Sequence, residues 1–131
     1  MDAPRILYVR RVLEKVNLAD AAADLPDQWV PSTVGSYNGD HVQVIRVQGE
    51  FVWHHHDRTD DLFICLAGSV RVQLRDGDVD LGPGEMLIVP VGVEHCVYAE
   101  KEATLLVLEH LGEDLAEPAE TAEMSGPFLG L

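Results

Sequence analysis

Six histidines occur in a chain of 131 residues, and three of them, His54, His55 and His56, are consecutive behind Trp53. In an extended strand, residues two apart share a face and lie about 6.6 Å apart, so His54 and His56 can converge on one cation while His55 points away. Residues 57–60 read Asp-Arg-Thr-Asp, a turn signal, after which Asp61 is expected to enter beside the histidine pair from the adjacent strand. Two imidazoles and a carboxylate suit a borderline divalent transition metal: Fe, Mn, Ni, Zn or Cu. For a fourth ligand, the candidate with sequence context is His95. Gly84 opens a strand ahead of it, Pro90 and Gly92 supply fixed and then permissive φ for a tight turn, and His95 begins the strand that returns.

Such side chains need a scaffold of short strands. Between Thr33 and His110 the chain runs in segments of five to eight residues rich in Val, Ile, Leu and Phe. Turn signals at Asn38-Gly39-Asp40, Asp57 to Asp60, Asp76-Gly77-Asp78 and Gly82-Pro83-Gly84 separate them, the pattern of an antiparallel all-β sandwich or barrel. Val70, Val72 and Leu74 alternate with Arg71, Gln73 and Arg75, and Asp76-Gly77 closes a hairpin. Ahead of the strands, Asn17 to Leu25 offers a capping residue followed by good helix formers, with Pro26 as the stop, which predicts one short helix.

Charge narrows the partners. With 23 acidic and 9 basic side chains the formal net charge is −14, which argues against nucleic acid and against anionic membrane surfaces. From Glu109 onward there are six acids and no Lys or Arg, so the first 108 residues carry −8. No uncharged stretch approaches the ~20 apolar residues of a membrane span, and no signal-peptide pattern opens the chain. A cytoplasmic location is expected, with Cys65 and Cys96 as free thiols. Residues 1–28 read as an N-terminal arm and the short helix, 29–110 as the barrel, and 111–131 as an acidic, flexible tail. The apolar end of that tail, Pro127 to Leu131, could dock on a neighbouring subunit.

Taken together, His54, His56, Asp61 and Gly68 have the spacing of the first cupin motif: two histidines one residue apart, a carboxylate after four more, and glycine after six. Gly84, Pro90, Gly92 and His95 fit the second motif. The chain resembles a small single-domain cupin of the conserved-barrel type over roughly Trp29 to Glu109. That resemblance implies a double-stranded β-helix, or jelly roll, holding a divalent metal on His54, His56, Asp61 and His95. Three positions depart from the family pattern. Asp61 stands where Glu is usual and is one methylene shorter, Ala99 replaces an asparagine that often ends the second motif, and Gly49, as leading glycine, sits one residue nearer His54.

Strand alternation then places Phe63 and Cys65 inward from Asp61, and Val97 and Ala99 inward from His95, as lining of the cavity, with Cys96 facing outward. Glu50 and Glu94 are expected on the surface, Asp60 in solvent at its turn, and His41 and His110 in structural roles. Trp29, Phe51 and Trp53 are assigned to packing. The expected function is metal-dependent chemistry on a small organic molecule, of oxygenase, isomerase or decarboxylase type. The alternative is a noncatalytic metal- or ligand-binding module. Ile6 to Val12 is the arm expected to pair two copies into a homodimer by covering a sheet edge.

Overall fold

Asn17 sets where the chain first becomes regular. In a computed structural model, which describes residues 13–110, 116–118 and Leu131, its side chain accepts a hydrogen bond from Asp20 N at 2.9 Å. It thereby caps a six-residue helix, α1 (Leu18–Ala23). The expected helix is present, two residues shorter than expected at its C-terminal end. Arg46 Nη2 donates to Leu25 O at 2.7 Å and Trp29 N to Arg46 O at 2.8 Å, so the helix and its exit are tied to the barrel. The arm expected at Ile6 to Val12 lies outside the described residues.

The barrel comprises β1 (Ser32–Tyr37), β2 (Asp40–Glu50), β3 (His54–His56), β4 (Asp61–Ala67), β5 (Val70–Leu74), β6 (Val79–Leu81), β7 (Met86–Val89) and β8 (His95–Glu109), with a ninth strand, β9, at Ala116–Pro118. All described pairings are antiparallel. Two sheets share β8. Its C-terminal half lies between β2 and β4, which continue outward to β1 and β7. Its N-terminal end lies between β5, which continues to β6, and the run from Gly49 through His54, which continues to β9. Opposite the crossing point, β2 changes register between Val47 and Gly49, the kind of irregularity by which a strand turns a corner between packed sheets. This is the expected all-β jelly roll.

Between the sheets lies a core of Ile45, Val47, Phe63, Cys65, Val70, Val72, Leu81, Val89, Val97, Ala99, Ala103, Leu105, Val107 and Leu131. Its strands bury every second residue, as in β4, where Asp61, Phe63 and Cys65 are buried and Leu62, Ile64 and Leu66 only partly so. The hairpin expected at Asp76-Gly77 joins β5 to β6.

One connection differs from expectation. Asp61 does not come from a strand beside the histidines: β3 pairs with β8 and β9, and β4 pairs with β7 and β8. Both edges of the three-residue β3 are taken, so residues 57–60 carry the chain across to the opposite sheet. Residues 90–94 cross in the same way between β7 and β8. The tail departs from expectation too: Ala116–Pro118 adds to the edge of β3, and Leu131 is fully buried in this chain's own core. A bare strand edge and an apolar side chain each gain more from the barrel than from water.

Candidate metal centre

Strand β3 places His54 and His56 on the inner face, both buried, and leaves His55 half-exposed with its Nε2 3.1 Å from Asp57. Asp61 is the first residue of β4 and His95 the first of β8. The four side chains thus enter from two facing sheets at one end of the barrel. Two tethers hold the crossovers together there: Gly92 N donates to His56 O at 2.8 Å, and Val91 N donates to Asp60 Oδ1 at 3.0 Å. Asp60 is exposed as expected, yet it pins the second motif's turn to the first. Gly92 adopts φ +82° in that turn, where a side chain would be strained.

The same device orients two of the rings. His54 Nδ1 lies 2.9 Å from Val52 O, and His95 Nδ1 lies 3.0 Å from Val93 O. A ring that donates from Nδ1 to the main chain presents Nε2 to the interior, which is how metal-bound histidines are usually held. Asp61 Oδ2 lies 2.9 Å from His56 Nε2 and 3.2 Å from His95 Nε2. His54 Nε2 is buried without a hydrogen-bond partner among the described residues.

One ligand atom from each of the four residues lies within 4.8 Å of the others. Bonds of about 2.0–2.2 Å to a shared cation require ligand atoms no more than about 4.4 Å apart, so a contraction of tenths of an ångström closes the shell. Charge fits as well. Burial first, and then the facing ring of His95, push the His54 pKa down to about 4, which leaves its lone pair available at neutral pH. Burial is the largest influence on Asp61 and acts to raise its pKa, but the hydrogen bonds from His56 and His95 outweigh it and keep the carboxyl below the usual range. Imidazoles, a carboxylate and an orphaned buried nitrogen match a divalent transition metal.

The structure brings together all four residues proposed from the sequence. Phe63, Cys65, Val97 and Ala99 join the core behind them, with the Phe63 ring 5.9 Å from that of His95. Cys65 Sγ points to Ala67 O and Gly68 O, each at 3.5 Å. Cys96 is outside the core cluster but is fully buried on the other face of β8, where burial and then Glu50 push its thiol up to about 12. Glu50 accepts from Gln73 at 2.9 Å and Glu94 from Arg75 at 2.8 Å, both on the outside. Arg75 also stacks 3.9 Å from the Trp53 ring. His41 lies 3.4 Å from Thr33 and His110 2.7 Å from Asp40, and Trp29 stacks on Phe51.

Sequence reasoning missed one participant. The main-chain oxygen of Leu131 lies 2.6 Å from His95 Nε2, with the residue wholly buried. The apolar Pro127 to Leu131 end was the available signal, and it pointed to a neighbouring subunit rather than to this barrel.

The model of the cupin domain family matches residues 41–110. A cupin-2 domain protein of known structure from Shewanella frigidimarina is 33% identical, with 73% of this chain and 94% of that one covered at a TM-score of 0.71. The uncharacterized protein YdbB of Bacillus subtilis is 27% identical over 72% of this chain and 84% of its own length. Hydroquinone 1,2-dioxygenase from Sphingomonas sp. TTNP3, solved with 4-hydroxybenzoate bound, shares the fold at 18% identity and a TM-score of 0.60, with 83% of this chain and 81% of that one covered.

Proposed function

This chain belongs to the cupin domain family, and from that membership we propose that it binds a divalent transition metal and acts on a small organic molecule by oxygenation, isomerisation or decarboxylation. The observation that carries the reading is the buried, unpartnered His54 Nε2 facing His56, Asp61 and His95, because an orphaned buried nitrogen is costly unless something binds it. The cation would supply Lewis acidity, or electron transfer in the case of Fe or Mn, to a chelating oxygen of the substrate. His54 and His95 keep Nε2 inward through their Nδ1 bonds, and Asp61 offsets part of the ion's charge. Phe63, Val97 and Ala99 exclude water behind it. Oxygenation has the further support of the fold shared with a dioxygenase.

One feature supports a second reading, a noncatalytic metal- or ligand-binding module. Among the described residues, the core holds no acid or base besides the four ligands and the Cys65 thiol, whose pKa burial first, and Glu85 after it, push up. Under either reading the partner is a small molecule, and the protein is a homodimer in the cytoplasm, a setting that the free, buried Cys65 and Cys96 suit.

Elemental analysis of purified protein tests the site. Stoichiometric metal is expected in the wild type and little in His56→Ala or His95→Ala; unchanged metal in both variants would remove the assignment. Metal retained by Asp61→Ala alone would make the centre a three-histidine one. Oxygen uptake by iron- or manganese-loaded protein with candidate substrates then tests for oxygenation, and product analysis of the same mixtures for isomerisation or decarboxylation; substrates left unchanged in every case would favour the module.

A further inference from the structure

Leu131 is the feature of the site that the metal reading leaves unused. Its side chain is fully buried in the same core as Phe63, Val97, Leu105 and Val107, while its main-chain oxygen meets His95 Nε2 at 2.6 Å. One residue thus places an oxygen acceptor on a ligand histidine and a four-carbon branched aliphatic group in the apolar interior. The tail also pairs with the strand that carries two of the four residues: β9 sets Pro118 opposite His54, Glu117 opposite His55 and Ala116 opposite His56.

We propose that Leu131 occupies the barrel's own ligand subsite, and that the ligand is a small carboxylate or carbonyl compound with a branched aliphatic group, which binds by displacing Leu131. The inference rests on the reading of His54, His56, Asp61 and His95 as metal ligands, and two physical points lead to it. An imidazole nitrogen has a single position for a proton or a cation, so the His95 Nε2 that donates to Leu131 is the atom a cation requires bare. Loading the centre therefore breaks the bond that anchors Leu131 and leaves its oxygen either to be replaced or to turn to the ion. The core cluster that its side chain joins is apolar, so the space it leaves selects hydrocarbon of similar shape over a polar group.

The probe is 4-methylpentanoate, which reproduces the Leu131 carbonyl carbon, its α-carbon and its side chain; acetate, which lacks the branched group, is the control. In full-length protein with leucine methyls labelled, Leu131 is assigned by comparison with Leu131→Gly and followed by NMR, metal-free and zinc-loaded. Titration with 4-methylpentanoate is expected to move the Leu131 methyl signals from ring-shifted positions towards those of an exposed leucine, and acetate to leave them in place. In Leu131→Gly, calorimetry is expected to show about tenfold or greater gain in affinity for 4-methylpentanoate and none for acetate, since the subsite no longer has to be cleared of a buried leucine. Wild-type methyl signals that stay fixed at saturating probe, with no gain in Leu131→Gly, overturn the proposal. If Leu131→Gly does not fold, Leu131→Val supplies the assignment and the wild-type titration alone decides. Metal content is measured separately: displacement in protein that binds no metal would defeat the metal reading and keep the subsite, whereas metal without displacement would do the reverse.

Discussion

Burial first, and then the facing ring of His95, hold the His54 pKa at about 4 against an ordinary 6.5, with a direct consequence for acid stability. Because the folded value is the lower one, the unfolded chain takes up the proton first. The contribution of the neutral ring is complete above pH 6.5 and is lost as pH falls towards 4. For metal-free protein the loss assigned to His54 is roughly 3 kcal/mol. Urea unfolding at pH 7 and pH 4.5 should show a steeper fall for wild type than for His54→Gln; equal slopes would mean that His54 is already charged in the fold. Asp61, also shifted downward, contributes with the same sign but below its ordinary range. Gly68 is a second residue whose identity is dictated locally. It sits at φ +81°, and an added Cβ would stand 3.0 Å from Ala103 Cα, Ala103 Cβ and Glu102 O. Gly68→Ala is expected to cost about 1–3 kcal/mol in a denaturant titration without changing which metal binds.

At the scale of elements, the centre depends on two crossovers leaving one end of the barrel side by side. The Asp60 to Val91 bond and the Gly92 to His56 bond are the described links between them. Asp60→Ala should lower stability by about 1 kcal/mol and also weaken zinc binding, because Asp61 and His95 then lose their mutual alignment. A competition titration that finds wild-type affinity would show the strands alone to be sufficient. These connections also mark where sequence reading ran out. Alternation along β4 and β5, the Asp76-Gly77 hairpin and the Asn17 cap are local signals, and each was legible. Which strand lies beside β3 is not local: it depends on β8 supplying edges to both sheets, and no property of residues 57–60 distinguishes a hairpin from a crossover. The four candidate ligands, His54, His56, Asp61 and His95, remained readable because spacing and turn chemistry carry them, whereas Leu131, 36 residues from His95, has no such spacing to betray it.

For the whole molecule, the net charge of −14 takes on a more specific meaning once three acids, Asp57, Asp60 and Asp61, are seen beside the histidines, where they favour a cation. No helix among the described residues is long and apolar enough to cross a membrane. Assembly is the remaining property at this scale. On β7, at one sheet edge, Met86 and Ile88 are exposed, an apolar edge of the kind a second copy covers. Native mass spectrometry is expected to find a dimer for the full chain and a monomer once residues 1–14 are deleted; a dimer that persists would take the arm out of the interface and leave the β7 edge as its seat.

The sharing of β8 between the sheets also bears on synthesis. Strands β2 to β5 emerge from the ribosome long before residues 95–109, against which β2, β3, β4 and β5 all pair. Until then their edges and apolar faces stay open, the condition under which nascent chains associate wrongly or engage chaperones. His95 is the first residue of that late strand, so barrel closure and completion of the His54, His56, Asp61 and His95 cluster fall at the same moment of translation, and a ribosome stalled before it would hold a chain with neither the shared strand nor the fourth side chain of the cluster.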